Sequence, residues 1–496
     1  MLGTYITFPE LLIWIPLLAG ILCFFIKEER AVKAFALIAS VLILAVSAIA
    51  LFYADESKYP GYNQVSYYWL KYLGNAYHLR LDSIGLLLSF LTALSYPLIF
   101  LSSYKQPREN AGKFFGLMLL TQAGILGVFS AYDALMFYFF WELALVPAYF
   151  LCSMWGGERR VPVTFKFFVY TFTGSLLMLT GIIYVYMHTP ERIFSDGTSA
   201  MHSFSYSAFQ AASLSAKEQG WLFWLFFAAF AVKMPIFPFH TWQPDTYDQS
   251  ATPVTMVLSG IMVKMGLFGL LRWLLPVFPE GVAHYGNVVM WLAVIGMVYA
   301  SLIAMVQDNL KMMVAYSSIA HVGLMAAAIL TQESSGLQGA VLQMFNHGIN
   351  IIGLWIVVDL IERKTGVKRI SELGGVSHKA PALTIFVVII GMANIALPIT
   401  NAFVGEFLMF SSLFSYRILF AVLTLVCIVL AAAYILSMIR KVFYGEMVSS
   451  VKSITDISLM EKIALSVIVL FIFVLGIYPQ PVLQFTESAI QALALK

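Results

Sequence analysis

Charge is what this chain of 496 residues has least of. Its 26 Asp and Glu and 29 Lys and Arg make up 11% of the residues, under half the share of an ordinary soluble domain. With 60% hydrophobic residues and a mean hydropathy of +0.85, that deficit excludes a water-soluble globule. Cysteine is also scarce. Cys23, Cys152 and Cys427 lie far apart in apolar runs with no C-x-x-C, which excludes a thiolate metal centre and reads as small core residues. No Gly-rich phosphate loop, nucleotide fingerprint, haem or iron–sulfur spacing occurs, so no cofactor is expected in this chain. Nor is there a soluble domain: the longest loops, 55–81 and 189–219, are too small for cores of their own. The net charge of +3 is spread beside the membrane and signals no nucleic-acid partner.

What is present is apolar runs of membrane-crossing length, about 20 residues for roughly 30 Å of hydrocarbon. Fourteen occur, near 9–26, 33–54, 82–103, 113–130, 133–155, 166–188, 220–239, 252–275, 286–306, 310–331, 336–361, 382–409, 416–438 and 460–479. The first has no basic stretch before it and no A-x-A site after it, and reads as a retained span. The fold class is an all-α polytopic membrane protein of about 14 helices. Nineteen basic residues fall in loops on one side and eight on the other, which places both termini on the outer side of the membrane. Two lysines fit neither group. Lys233 and Lys264 lie inside spans.

Ionisable groups at span centres cost at least about 2.5–3.5 kcal/mol and point to function. Glu142 is the one charged side chain in "ALMFYFFWELALVPAYFLCSMW", and Lys264 the one between Thr252 and Arg272. Lys264 is too deep to snorkel, whereas Arg272 sits near a span end and reads as a snorkelling residue. Pro235 and Pro238 follow Lys233 in "AVKMPIFPFHTWQPD" and open the helix just past the lysine. His321, beside Ser317 and Ser318, and His347, beside Asn346 and Asn350, are mid-span on successive helices. Glu406 follows a second break at Pro398 in "ANIALPITNAF". Glu142, Lys233, Lys264, His321, His347 and Glu406 form a candidate proton-transfer row, with His240 and Asp133 as accessory candidates. Contact between Glu142 and Lys233 would suit that role. A carboxylate–ammonium pair at about 4 Å is worth roughly 4 kcal/mol, close to the cost of moving one proton against about 150–200 mV. The structural alternative is buried ion pairs that only hold helices together, though such pairs stabilise weakly.

Five spans separate the two proline breaks. This suggests helices 1–3 in 1–110, a five-helix repeat in 111–276, an inverted five-helix repeat in 285–445, and a last helix in 455–496.

"KMPIFPFHTWQPDTYDQSATPVTMVLSGIMVKMG" resembles the signature of the antiporter-like subunits of respiratory complex I and of multisubunit cation/proton antiporters. "WELALVPAYFL", "SSIAHVGLM", "NHGINIIGLW" and "FVGEF" resemble the same family over roughly residues 80–450. The resemblance implies fourteen helices with two inverted five-helix units. It also implies a glutamate on the fifth, lysines on the seventh and eighth, and a charged residue on the twelfth; Glu142, Lys233, Lys264 and Glu406 match. Glutamate at the last place, and a chain end with no long lateral helix, resemble the M-type branch instead of the lysine-bearing L- and N-types. "HTWQPDTYDQSATP" departs from the family, which usually has a leucine after the Trp and an Ala-Pro-Thr run. The implied activity is proton translocation driven by NADH-to-quinone electron transfer. NADH, flavin, iron–sulfur clusters and quinone are then expected on partner subunits, with L- and N-type neighbours in a bacterial inner membrane. Alternatives are the D-type member of a sodium/proton antiporter complex, or a membrane enzyme or lipid transporter using His321 and His347 as ligands or bases.

Overall fold

The computed structural model describes residues 6–55, 57–193, 199–200 and 202–494. Part of the 189–219 loop and Lys496 of the outer basic set lie outside the described residues. The apolar runs become helices: α1 (Phe8–Cys23), α2 (Glu29–Phe52), α3 (Ser83–Ser103), α4 (Ala111–Ser130), α5 (Ala134–Met154) and α6 (Arg160–Met187). Next come α7 (Ala216–Lys233) and the short α8 (Gln243–Gln249), then α9 (Thr252–Val277), α10 (Pro279–Val306), α11 (Leu310–Leu330) and α12 (Ser334–Thr365). The chain continues through α13 (Pro381–Asn394), α14 (Asn401–Tyr416), α15 (Ile418–Phe443), α16 (Leu459–Ile477) and α17 (Gln480–Ala494). Among the described residues, eleven helices are long and apolar enough to cross a membrane: α2 to α6, α9 to α12, α15 and α16.

Burial sorts these helices into layers. The most apolar windows of α9 and α12 are wholly buried, against 39% for α2, α6 and α15, so α9 and α12 form the central column and the others face outward. Two glycines set how closely that column packs. A Cβ on Gly260 of α9 would stand 2.6 Å from Ile352 of α12, and one on Gly348 would stand 3.0 Å from the Gly260 carbonyl. Backbones touch where larger residues would hold them apart.

The 55–81 loop, too small for a core of its own, holds an antiparallel hairpin of β1 (Gln64–Leu70) and β2 (Asn75–Arg80). Its turn closes at Gly74, whose φ of 63° suits glycine. Buried residues alternate along β2, so one face of the hairpin packs on the helices. The C-terminal α17 was not anticipated as separate from the last span. It is amphipathic, burying Thr486 and Ile490, and packs on α3 and α12.

Both proline breaks are present. The first separates α7, ending at Lys233, from α8; the second separates α13 from α14. At the first, the Trp242 indole donates to the Val232 carbonyl at 3.0 Å, satisfying a carbonyl that the break frees. At the second, Asn346 of α12 donates to the Asn401 carbonyl at 2.7 Å, and the side chains of Asn350 and Asn401 bond reciprocally at 3.0 and 3.1 Å. Asn350 also reaches the Ala393 carbonyl at 3.5 Å. Broken backbone at depth is therefore covered by buried side chains, as a medium without water requires.

Candidate functional site

The site is assembled around α9. Two π-helical turns, Leu258–Met262 and Leu270–Leu274, flank Lys264. Such turns widen the helix and leave carbonyls out of the regular ladder. Lys264 Nζ donates to the Ser259 carbonyl, in the first of these turns, at 3.0 Å. The same nitrogen lies 2.8 Å from Nδ1 of His347 on α12, brought near by the Gly260–Gly348 approach. The His347 ring is 5.6 Å, centroid to centroid, from that of His321 on α11. His321 Nδ1 is 3.2 Å from Glu406 Oε1 on α14, and Gln343 of α12 donates to the same oxygen at 3.2 Å. Lys264, His347, His321 and Glu406 thus form one buried row across four helices, none more than 8% exposed.

Lys233 and Glu142 stand differently. Lys233 is 2% exposed, with Nζ 5.4 Å from the centroid of the Trp141 ring. Lys233 Nζ and Glu142 Oε1 are both buried, without hydrogen-bond partners among the described residues. Glu142 and Lys233 form no ion pair within 4.0 Å; the lysine sits over the face of the neighbouring indole, a favourable cation–π position. Buried polar groups with no protein partner require water or another polar group, and both side chains have that requirement.

The accessory candidates join neither group. His240 is 4% exposed beside Phe237 and Tyr299, ring to ring at 5.7 and 5.3 Å. Asp133, placed in the fifth apolar run by sequence, lies just outside the helix as the N-cap of α5. It accepts from Leu135 and Met136 amides at 3.0 and 3.1 Å, from Asn75 at 2.7 Å and from the Ala76 amide at 3.2 Å. It ties the hairpin to α5. Burial pushes its carboxyl up to about 6 despite these donors.

Arg272 corrects a reading made from position alone. It does not snorkel; it is 8% exposed and forms an ion pair with Asp82, the N-cap of α3, while Tyr132 donates to the same Asp82 oxygen at 2.9 Å. The aspartate was invisible as a partner because it lies 190 residues away in sequence.

Sequence reasoning also missed three buried polar residues. Asn401 sits at the second break, Gln343 holds Glu406, and Tyr434 of α15 donates to Ser317 Oγ at 2.9 Å. For the asparagine and glutamine, an amide among apolar neighbours was the available signal. Tyr434 gave little, since a tyrosine within an apolar helix is common.

The transmembrane family model described as NADH:quinone oxidoreductase/Mrp antiporter matches residues 131–431. A curated relative, NADH-quinone oxidoreductase subunit M of Rickettsia typhi, is 32% identical over 495 residues, covering 98% of each chain. The chain belongs to the NADH-quinone oxidoreductase subunit M family. A chain of respiratory complex I from Thermus thermophilus superimposes with a TM-score of 0.88 at 25% identity, covering 98% of each chain. A chain of the Mrp complex from Dietzia sp. DQ12-45-1b shares the fold at a TM-score of 0.85 and 18% identity, covering 98% of this chain and 97% of that one. Subunit M family membership makes this a multi-pass membrane protein built to sit among other subunits.

Proposed function

We propose that this chain is the M-type proton-translocating subunit of an NADH-quinone oxidoreductase, moving H⁺ through buried Glu, Lys and His residues while other subunits carry electrons from NADH to quinone. The observation that carries this reading is the buried row of Lys264, His347, His321 and Glu406. Lysine, imidazole and carboxylate each gain and lose protons; Lys264–His347 and His321–Glu406 are direct polar contacts, and the two imidazole rings between them are 5.6 Å apart. Glu142 and Lys233 form a second group. NADH, flavin, iron–sulfur clusters and quinone are assigned to partner subunits, with L- and N-type chains on either side in a bacterial inner membrane.

The two broken helices, each counted as one crossing, complete fourteen crossings with α1. The α4–α9 and α10–α15 segments are read as two inverted five-crossing units, and the equivalent positions of their breaks support this. Both termini then lie outside. Assignment to the D-type member of a sodium/proton antiporter complex is disfavoured by full-length similarity to subunit M relatives.

The test uses the assembled complex in proteoliposomes. Glu406→Gln keeps the shape but replaces the carboxyl with a neutral amide, and is expected to abolish pumping through this subunit. Unchanged proton translocation per NADH oxidised refutes the row.

A further inference from the structure

Beside the His321–Glu406 pair lies a cavity of about 20 Å³, walled by α10, α11, α15 and the second break. One water needs about 10–15 Å³ of probe volume, so the space admits a water. Its lining includes His321, Glu406, Asn394, Ser301, Thr424 and Tyr434. Two of these bring buried polar atoms with no hydrogen-bond partner among the described residues: His321 Nε2 and Thr424 Oγ1. Thr424 is fully buried and His321 is 8% exposed. A third polar atom is half-used. The Tyr434 hydroxyl gives its hydrogen to Ser317 Oγ at 2.9 Å, which leaves its oxygen free to accept. Asn394 donates to the same serine at 3.4 Å and so helps fix the tyrosine.

We propose that this cavity is a single-water site held by Thr424 Oγ1, Tyr434 Oη and His321 Nε2, and that Thr424 is through it a positioning residue for proton transfer at the His321–Glu406 pair. Buried waters typically make about three hydrogen bonds, which is the number of atoms on offer. The site suits both states of the imidazole. When His321 is neutral with its Nδ1 hydrogen on Glu406, Nε2 accepts a water hydrogen while Thr424 donates to the water oxygen. When His321 is protonated, Nε2 donates to that oxygen, and the threonine hydroxyl turns to accept. No proton needs to leave Thr424 or Tyr434; each rotates or holds still. What a histidine nitrogen bonds to governs which of its nitrogens carries hydrogen, so the water sets the state from which Glu406 is served.

The inference rests on the proton-transfer reading, and the experiment separates the two. In the assembled complex, Thr424→Val keeps the shape but removes the hydroxyl, and Thr424→Ser restores a hydroxyl. The expected result is coupled proton pumping about five-fold slower in Thr424→Val, the scale of one lost hydrogen bond, with recovery in Thr424→Ser. A high-resolution map is expected to show ordered density in the cavity of the unaltered complex. Absent density there, full-rate pumping by Thr424→Val, or no recovery by Thr424→Ser overturns the proposal. If Thr424→Val does not assemble, the map of the unaltered complex alone decides. If Glu406→Gln blocks pumping while Thr424→Val does not, the water site falls and the row stands; if Glu406→Gln pumps normally, the row itself falls.

Discussion

Lys264 shows why residue chemistry, and not charge alone, is at stake. Its ammonium bonds to one carbonyl and one imidazole, with no carboxylate within 4.0 Å among the described residues. A lysine kept to anchor helices would be expected to have an anion; this one has a neutral base that can take its proton. Lys264→Arg distinguishes the two uses. Arginine keeps the charge and the donors but cannot be deprotonated in a protein. Lys264→Arg is expected to assemble normally yet to slow pumping about ten- to a hundred-fold, the scale of a lost hydrogen bond to a charged group. Normal pumping in that variant, measured in proteoliposomes, would make the lysine a scaffold. Arg272 is the contrasting case, a cation with an anion beside it. Replacing Asp82 by Asn leaves the guanidinium largely buried without its counter-charge, which is expected to cost about 3 kcal/mol and to lower the thermal transition of the complex, with little effect on protons moved per NADH.

At the scale of elements, the breaks and caps determine where these side chains can sit. The proline breaks and the all-helical membrane class were readable because proline removes an N–H wherever it falls, and because hydrocarbon thickness fixes helix length. The packing of α9 on α12 was not. It depends on Gly260 meeting Gly348, which no local pattern reveals, and the π-helical turns around Lys264 leave no mark in composition. The hairpin was missed for a similar reason: β1 is largely exposed and lacks the alternation that marks a strand with one buried face. Its tie to α5 yields a pH prediction. The Asp133 carboxyl titrates near 6 in the folded chain, above its ordinary value of 3.8. A raised value means that the neutral form is the one folding favours. Its stabilising contribution is complete below about 4 and is lost as the pH rises through about 6. Amide exchange at Ala76 and Met136, corrected for intrinsic rates, is therefore expected to slow between pH 7 and 5. An unchanged protection factor would place no titration there.

The whole molecule has a central column of α9 and α12, from which the titratable row runs through α11 to α14, wrapped by helices that face outward. Membership of the subunit M family was legible in motifs spread over most of the chain, because the residues that make the site sit in short, distinctive strings. Distances were not, since Lys264 and Glu406 are linked only through side chains of two other helices. Orientation rests on the asymmetry of basic residues, and the three cysteines make it straightforward to test. Cys23, Cys152 and Cys427 are all buried, so a background of native label is expected to be low. Lys58, in the loop before the hairpin, and Lys452, between α15 and α16, are both exposed on opposite sides of the proposed topology. With the termini outside, Lys58→Cys in intact cells is expected to react with a membrane-impermeant maleimide, and Lys452→Cys only after permeabilisation. The reverse pattern would turn the molecule over. It would move the side holding nineteen basic residues outside, against the bias that retains lysine and arginine within, and would exchange the entry and exit sides of the proposed proton route.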